Sequence, residues 1–219
     1  TTEIYTLSLH DALPIWCVVG LPLNWALTLA VKLPELPEAD LESFLQLEAE
    51  RGFPYPPDAL ITSQSRFRAP GGELYATLVA VPRGHVTRLE AVLKAAQLRV
   101  LSLSFGITAL EQPRPGSPDG VLALVPGQSS IGLQVSCDGG VVVLRTVEGA
   151  YELEGGAQRV QVDQVAREVR ITLGQLPPAV REAVRQVRVY GATETADELA
   201  EQLGPRIASL GIGFEQVRG

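Results

Sequence analysis

Gly120–Val147, with the sequence GVLALVPGQSSIGLQVSCDGGVVVLRTV, decides the fold of the second half of the chain. It predicts a meander of three short β-strands, separated by two tight turns, over Val121–Val125, Ile131–Cys137 and Val141–Val147. The second turn, Asp138-Gly139-Gly140, places Asp-Gly between two apolar runs. This is the strongest short-range signal for a hairpin, because glycine adopts positive φ without a Cβ clash.

The first turn of this stretch, Pro126–Ser130, has two interpretations. It places small and amide-rich residues between two strands, so its backbone N–H groups can cradle a phosphate. The same composition is equally compatible with a turn that only links two strands. On the first interpretation, the residues that hold the phosphate are Gly127, Gln128, Ser129 and Ser130.

The first fifteen residues, TTEIYTLSLHDALPI, resemble a common sequencing-library adapter oligonucleotide translated in one frame. A chance match over the whole segment is very improbable, so we expect residues 1–15 to be an artefact that contributes nothing to the fold. The alternative is a genuine amphipathic arm. The sequence has no Met, and Trp16 lies in the middle of a strand pattern. We therefore expect the chain from Trp16 onward to be a fragment that lacks the N-terminus of the natural protein.

Composition and charge argue against several classes of protein. The 219-residue chain has a net charge of −7, and no run of Lys and Arg is interleaved with aromatic residues, so no nucleic-acid partner is expected. Cys17 and Cys137 are isolated in apolar strands, which favours buried thiols over a disulfide. No Cys/His cluster has metal-ligand spacing, so no metal site is expected. The apolar run Trp16–Val31 is too short for a membrane span and contains a proline and an asparagine.

Residues 16–110 predict a small α+β subdomain with the order β-β-α-β-β-α-β. Apolar and polar residues alternate over Trp25–Leu33, as in a half-buried strand, and a strand starting at Trp16 is expected to form a hairpin with it. Hydrophobic periodicity and Pro/Gly breaks predict the remaining elements, which are a helix over Glu38–Arg51, strands over Ala59–Arg68 and Leu74–Val81, a helix over Gly84–Gln97 and a strand over Leu98–Ser104.

Two polar features of this subdomain are expected to be structural. The acidic run Glu35/Glu38/Asp40/Glu42 suits the start of a helix, where the helix dipole favours negative charge, and a binding face for a partner is the alternative. His85 lies near the start of the second helix, where a solvated histidine is expected rather than a general base.

The Pro-rich segment 111–119 (EQPRPGSPD) is polar and non-periodic, and it predicts a linker between two domains. Beyond the meander, residues 120–219 predict an α/β layer with glycine-rich turns at strand ends. The predicted elements are a helix over Val160–Leu173 entered through Gly155-Gly156, a short helix from Pro177-Pro178 through Val184, a strand over Val187–Tyr190, a Gly191-Ala192-Thr193 turn, a helix over Glu194–Leu203 ended by Gly204-Pro205, and a strand over Phe214–Val217.

This order of strands, glycine turns and helices resembles half of an actin-like ATPase domain. More closely, the chain from Trp16 onward resembles the PilM family of type IV pilus assembly proteins and the related cytoplasmic part of the type II secretion L protein. The segments that carry the resemblance are Val19–Pro22 with Val31–Pro34, which look like the paired strands that open the family's small subdomain, and also Glu48–Pro54, Val79–Pro82 and Ala95–Leu98. The resemblance implies an α/β fold, namely part of an actin-like (ribonuclease H-like) ATPase fold in which residues 16–110 are an inserted small α+β subdomain and residues 120–219 are half of the actin-like domain.

The resemblance also implies where a nucleotide would lie. The second phosphate motif of the family falls on Leu124–Ser130, and Val125 stands where the family has an aspartate. Because that carboxylate would hold magnesium through water or orient an attacking water, its loss implies that this chain does not hydrolyse ATP. We therefore expect no catalytic residue, no metal ligand and no cofactor, with ATP as the alternative and magnesium doubtful. The positions that would bind ATP are Gly127, Gln128, Ser129, Ser130, Gly155, Gly156, Gly191 and Thr193.

The function implied by the resemblance is that of a non-catalytic scaffold in a type IV pilus or type II secretion assembly platform. It would lie in the cytoplasm, peripheral to the inner membrane, and bind the cytoplasmic tail of a membrane protein, contacting the membrane only through that partner. The alternative is an actin-like ATP-binding protein, an ATPase or a sugar-kinase relative, which an Asp-x-Gly hairpin upstream of Trp16 would favour. An uncharacterised two-domain module outside this superfamily is the third possibility.

Overall fold

The structure, a computed structural model, describes residues 15–110 and 119–218. The expected adapter and the Pro-rich linker therefore lie outside the described residues, apart from Ile15 and Asp119. The strands are β1 (Ile15–Leu21), β2 (Leu27–Lys32), β3 (Leu60–Arg68), β4 (Leu74–Pro82), β5 (Leu98–Phe105), β6 (Gly120–Pro126), β7 (Ile131–Cys137), β8 (Gly140–Val147), β9 (Tyr151–Glu154), β10 (Ala157–Val160), β11 (Val184–Tyr190) and β12 (Gly213–Val217). The helices are α1 (Glu38–Gly52), α2 (Arg83–Ala95), α3 (Gly106–Leu110), α4 (Val162–Gln175), α5 (Pro178–Ala183) and α6 (Glu194–Ala208). None of these helices is long and apolar enough to cross a membrane.

A three-stranded antiparallel sheet with the order β2-β4-β3 lies within residues 16–110, the predicted small subdomain, and α1 packs on one of its faces. Leu41 and Leu45, one helical turn apart, are buried against the sheet together with Leu60 and Leu78. The end of α1 lies close to β2, since a Cβ on Gly52 would be 2.3 Å from a methyl group of Leu29. The predicted helix and strands of this subdomain are confirmed to within two residues.

The predicted hairpin between the strand starting at Trp16 and the strand after it is wrong. β1 pairs in parallel with β5, and β2 pairs with β4. A 3-10 turn over Leu23–Trp25 separates the two strands, and its apolar side chains pack with Leu21 and Phe105. Alternating hydrophobicity predicts that a strand exists but not its partner, and a parallel partner must come from a distant part of the chain.

A five-stranded sheet with the order β12-β11-β6-β7-β8 forms the second half. The predicted meander of β6, β7 and β8 is confirmed, and its antiparallel register pairs Leu124 with Leu133. Asp138 and Gly139 have φ angles of 47° and 78°, so the second turn uses the positive-φ residues that the sequence predicted. β11 runs parallel to both β6 and β12.

Helices α4, α5 and α6 bury their apolar stripes in a core on one face of this sheet. Leu122, Leu133, Val169 and Leu203 are completely buried there. The predicted end of the last helix at Gly204-Pro205 is wrong, because α6 continues to Ala208. Ile207 is also buried in this core, so packing holds the helix together beyond the proline.

The edge strand β8 connects the two halves of the molecule. The Thr77 hydroxyl of β4 donates a hydrogen bond to the carbonyl oxygen of Val142 at 3.0 Å. The backbone N–H of Val141 donates to the Ser65 hydroxyl of β3 at 2.9 Å. A Cβ on Gly140 would lie 2.3 Å from the carbonyl oxygen of Arg66, so a glycine is needed where the two backbones meet.

The environments of the two cysteines and of His85 differ partly from expectation. Cys137 is buried, and burial raises the pKa of its thiol, whereas Cys17 is only half-buried. The expectation of a solvated His85 is wrong, because its ring lies 4.7 Å from the ring of Trp25 and is half-buried. Its Nδ1 is buried and has no hydrogen-bond partner among the described residues.

Candidate functional site

The carboxyl ends of β6, β11 and β12 meet at one edge of the five-stranded sheet, which we call the candidate edge. The three strands are parallel, and Leu124 of β6 lies beside Val189 of β11. The turn after β6 starts at Gly127, and the turn after β11 starts at Gly191. Two of the predicted binding segments are therefore brought together, at the kind of edge where open α/β sheets bind ligands.

The turn Gly127–Ser130 is closed by its own backbone. The N–H of Gly127 donates to the carbonyl oxygen of Ser130 at 2.9 Å, and a Cβ on Gly127 would lie 3.0 Å from that oxygen. Two further contacts hold the turn from outside. The Tyr151 hydroxyl donates to the carbonyl oxygen of Gly127, and the side-chain amide of Gln158 donates to that of Gln128, both at 2.9 Å.

The side chain of Tyr151 is suited to this contact. Burial raises the pKa of its phenol above the ordinary value, so the hydroxyl keeps its proton and remains a donor at neutral pH. Tyr151 and Gln158 were not among the predicted site residues. The sequence signal that could have identified them is the alternation of Tyr151–Glu154 and Ala157–Val160 around a double glycine, which is typical of a hairpin.

The prediction that Gly155-Gly156 leads into a helix is wrong. The two glycines form the turn between β9 and β10, which are antiparallel. Their φ angles are 59° and 85°, and two successive positive values are typical of a two-residue hairpin turn. Helix α4 begins at Val162, after β10. The hairpin reaches the Gly127–Ser130 turn through Tyr151 and Gln158, and no described contact joins that turn to the two glycines.

Gly191 and Thr193 lie at the start of α6 and are engaged within the protein. The N–H of Gly191 donates to the carbonyl oxygen of Val217 at 3.0 Å, and the carbonyl of Gly191 accepts from the side chain of Gln216 at 3.2 Å. Gly191 has a φ of 130°, which explains why a glycine stands there. The Thr193 hydroxyl accepts from the N–H of Ala196 at 3.2 Å and caps the helix.

Carboxylates dominate the first two turns of α6. Glu194, Asp197 and Glu198 follow the cap directly. Asp197 accepts hydrogen bonds from Gln216 at 2.6 Å and from Arg218 at 3.0 Å, and Glu198 lies 3.8 Å from Arg159. These negative charges offset the positive end of the helix dipole, so this helix N-terminus is poorly suited to an anionic ligand.

The end of β6 supplies packing rather than a charge. Val125 is half-buried and packs against the apolar cluster that includes Leu21 and Phe105. Pro126 follows it and pairs with Ile131 across the turn. Over residues 15–110 and 119–218, no group of three or more His, Cys, Asp or Glu side chains is arranged to hold a metal ion.

A second concave feature lies in the small subdomain. It is a cleft of about 380 Å³ between α1 and β3, lined by polar side chains such as Glu42, Gln46 and Gln64 and by apolar ones such as Leu45 and Leu60. None of the predicted site residues lines it. No sequence pattern predicts this cleft, because it depends on how far α1 leaves β3 uncovered.

No family model and no curated protein matches the sequence. Among solved structures, the chain is similar to a protein of the PilM-PilN type IV pilus biogenesis complex, with 18% identity, a TM-score of 0.66, and coverage of 93% of this chain and 69% of that one. It is also similar to the cytoplasmic domain of EpsL, an inner membrane component of the type II secretion system of Vibrio cholerae, with 16% identity, a TM-score of 0.52, and coverage of 89% and 74%.

The two similarities concern the fold. A Bacteroides thetaiotaomicron protein with an actin-like ATPase fold and unknown function aligns more weakly, with 9% identity, a TM-score of 0.45, and coverage of 92% of this chain and 67% of that one. The predicted α/β fold class is confirmed, and the chain has the fold of the PilM and EpsL structures, as expected from the resemblance. The nucleotide-binding role of Gly127–Ser130, Gly155-Gly156, Gly191 and Thr193 stays a prediction, as does the artefactual origin of residues 1–15.

Proposed function

We propose that this chain is a non-catalytic scaffold of a type IV pilus or type II secretion assembly platform. The observation that supports it is the fold. The two structures that align with TM-scores of 0.66 and 0.52 belong to a pilus biogenesis complex and to an inner membrane component of a secretion system. On this proposal, the chain lies at the cytoplasmic face of the inner membrane and binds the cytoplasmic tail of a membrane protein.

The candidate edge supports the absence of catalysis. Phosphoryl transfer needs groups that hold a metal ion and orient the attacking nucleophile. Val125 offers neither of these, and the neighbouring carboxylate Asp197 is engaged by Gln216 and Arg218. The Gly127–Ser130 turn is held by Tyr151 and Gln158, so it keeps its shape through protein contacts alone.

Co-expression tests the scaffold role. The full-length gene would be expressed with each membrane protein encoded beside it, and the complex would be purified through a tag on this chain. We expect one membrane protein to co-purify and to be lost when its cytoplasmic tail is deleted, the deletion serving as the matched control. If no membrane protein co-purifies, or if binding survives removal of every cytoplasmic tail, the proposal is wrong.

An actin-like ATP-binding protein is the second candidate function. Gly127 and Gly191 follow the carboxyl ends of two neighbouring parallel strands, β6 and β11. This placement favours nucleotide binding, since α/β sheets bind nucleotides at such ends. Calorimetric titration of the complete protein with ATP, with and without magnesium, separates the two candidates. A dissociation constant well below millimolar would favour nucleotide binding, and phosphate release in the same sample would contradict the non-catalytic proposal.

A further inference from the structure

The first half of β3 is an edge strand that lacks the charged residues and prolines that usually keep such a strand from pairing with another strand. Among the described residues, β3 pairs with β4 on one side and is the last strand of its sheet. Its second half approaches β8, where Ser65 accepts from the N–H of Val141. Residues 61–64 are solvent-exposed and spell Ile-Thr-Ser-Gln, with no proline and no charge. Edge strands that must stay single are usually blocked by charged residues or prolines, so this segment is open to a further strand.

The cleft lies beside this edge. Leu60, Thr62 and Gln64, which alternate along β3, form its floor, and Gln46 of α1 stands on the opposite wall. Its volume of about 380 Å³ is within the range of about 300–1,000 Å³ that is typical of ligand sites. A strand laid along the exposed edge would therefore place alternate side chains in a preformed space. Four residues of edge correspond to about 13 Å of extended chain.

The charge of the cleft selects the side chains that suit it. Helix α1 carries five carboxylates and a single basic residue, Arg51. Glu42 lines the cleft, and the nearest cation on β3, Arg66, is already paired with Glu38 at 2.7 Å. An incoming Lys or Arg is therefore favoured at this wall and an acidic residue is disfavoured.

We propose that the cleft between α1 and β3 binds an extended segment of a partner protein, which adds to β3 as a further strand. Alternate residues of the segment face the cleft. Among these, apolar side chains pack beside Leu45 and Leu60, and one Lys or Arg side chain faces Glu42, whereas the residues between them point away from the cleft. Main-chain hydrogen bonds to β3 supply affinity, and the cleft supplies specificity. This inference deepens the proposed function by giving the chemistry of the partner segment, and it relies on that function only for the identity of the partner.

Fluorescence anisotropy with labelled octapeptides tests the recognition. The probes are a Lys peptide, Thr-Val-Thr-Lys-Thr-Val-Thr-Val, in which three Val and one Lys occupy one alternate set of positions, and a Glu peptide with Glu in place of that Lys. Two further forms of the Lys peptide are N-methylated on one or the other alternate set of amides. An added strand bonds its neighbour through one alternate set of amides. We expect the Lys peptide to bind the full chain at least tenfold more tightly than the Glu peptide. One N-methylated form should bind at least tenfold more weakly than the unmethylated Lys peptide.

Two pairs of variants locate the site. Gln46→Trp fills the cleft from an exposed helix position, and Leu47→Trp makes the same change at an exposed neighbour that does not line the cleft. Glu42→Gln removes the carboxylate, and Glu90→Gln on the exposed face of α2 is its control. We expect Gln46→Trp to weaken binding at least tenfold and Glu42→Gln to weaken it several-fold at low salt, with both controls at wild-type affinity.

Several results would overturn the inference. These are no measurable binding of the Lys peptide, equal binding of both N-methylated forms, preference for the Glu peptide, or binding that Gln46→Trp leaves unchanged. A second copy of the chain is the competing occupant of the cleft, and sedimentation of the chain alone tests it. If the wild type is a dimer and the Gln46→Trp variant is a monomer, a second copy fills the cleft instead of a partner segment. If a membrane protein co-purifies and its binding is unaffected by Gln46→Trp, the scaffold role stands and the docking site is wrong.

Discussion

Gly140→Ala is expected to loosen the connection between the two halves of the molecule. The new Cβ would lie 2.3 Å from the carbonyl oxygen of Arg66 and 2.8 Å from the Cβ of Phe67, whereas real Cβ atoms essentially never approach another atom within 3.0 Å. Because the first contact is with backbone, no side chain can rotate away, and β3 and β8 must separate. Forced overpacking of this kind costs about 1–3 kcal/mol, and we expect the upper part of that range.

The free energy of unfolding from urea titration measures this cost. For a chain of this size, about 2–3 kcal/mol corresponds to a fall of roughly 4–12 °C in the melting temperature. Gly174→Ala is the matched control, since a Cβ there meets no atom within 4 Å and alanine is a better helix former by up to about 1 kcal/mol. If Gly140→Ala is as stable as the wild type, β8 does not hold the two halves together in the way described.

Three further predictions concern the site, the surface and the core. Tyr151→Phe removes the hydrogen bond to the turn after β6 and should lower the free energy of unfolding by about 0.5–1.5 kcal/mol in urea titration. Hydrogen exchange in that turn should become faster, and unchanged exchange would show that Tyr151 does not stabilise the turn. The Lys32 ammonium donates a hydrogen bond to Glu73 and lowers the pKa of that carboxyl below its ordinary 4.5. The ion pair therefore contributes to stability above pH 4.5, and this contribution is lost as the pH falls through the folded pKa. NMR titration should give Glu73 a lower midpoint in the wild type than in Lys32→Met, and equal midpoints would refute the pairing. Leu203→Ala should lower the free energy of unfolding by about 2–5 kcal/mol because the side chain is fully buried. Leu210→Ala is the control, since Leu210 is 43% exposed, and its free energy of unfolding should stay within about 0.5 kcal/mol of the wild type. Similar losses for the two variants would contradict the position of the core.

Local signals explain why the second half was predictable. The two turns of the meander hold glycines at Gly127 and Gly139, and strands joined by short turns pair with their sequence neighbours. The start of α6 at Glu194 was likewise predicted correctly, and the Thr193 hydroxyl that caps it stands directly before it in the sequence. In each case, the residues that determine the structure are adjacent in the sequence.

Long-range packing explains the errors. β1 and β5 are separated by most of the first half of the chain, and nothing in Trp16–Leu21 specifies a parallel partner. Gly204-Pro205 breaks a helix by local propensity, yet α6 continues because Ile207 has a place in the core. The cleft beside β3 and the contact between Tyr151 and Gly127 depend on the relative placement of elements that only the folded chain brings together.

The turns at the candidate edge are held in place by hydrogen bonds within the protein. A turn whose shape depends on phosphate needs it as the acceptor for backbone N–H groups. The N–H groups of Gly127 and Gly191 already donate within the protein, to the carbonyl oxygens of Ser130 and Val217. Here the carbonyls of Gly127 and Gln128 accept from Tyr151 and Gln158, and the carbonyl of Gly191 accepts from Gln216. The turns are therefore stable whether or not a ligand binds, and their presence is not evidence for ATP. These turns need no nucleotide to keep their shape, which is what the scaffold proposal requires.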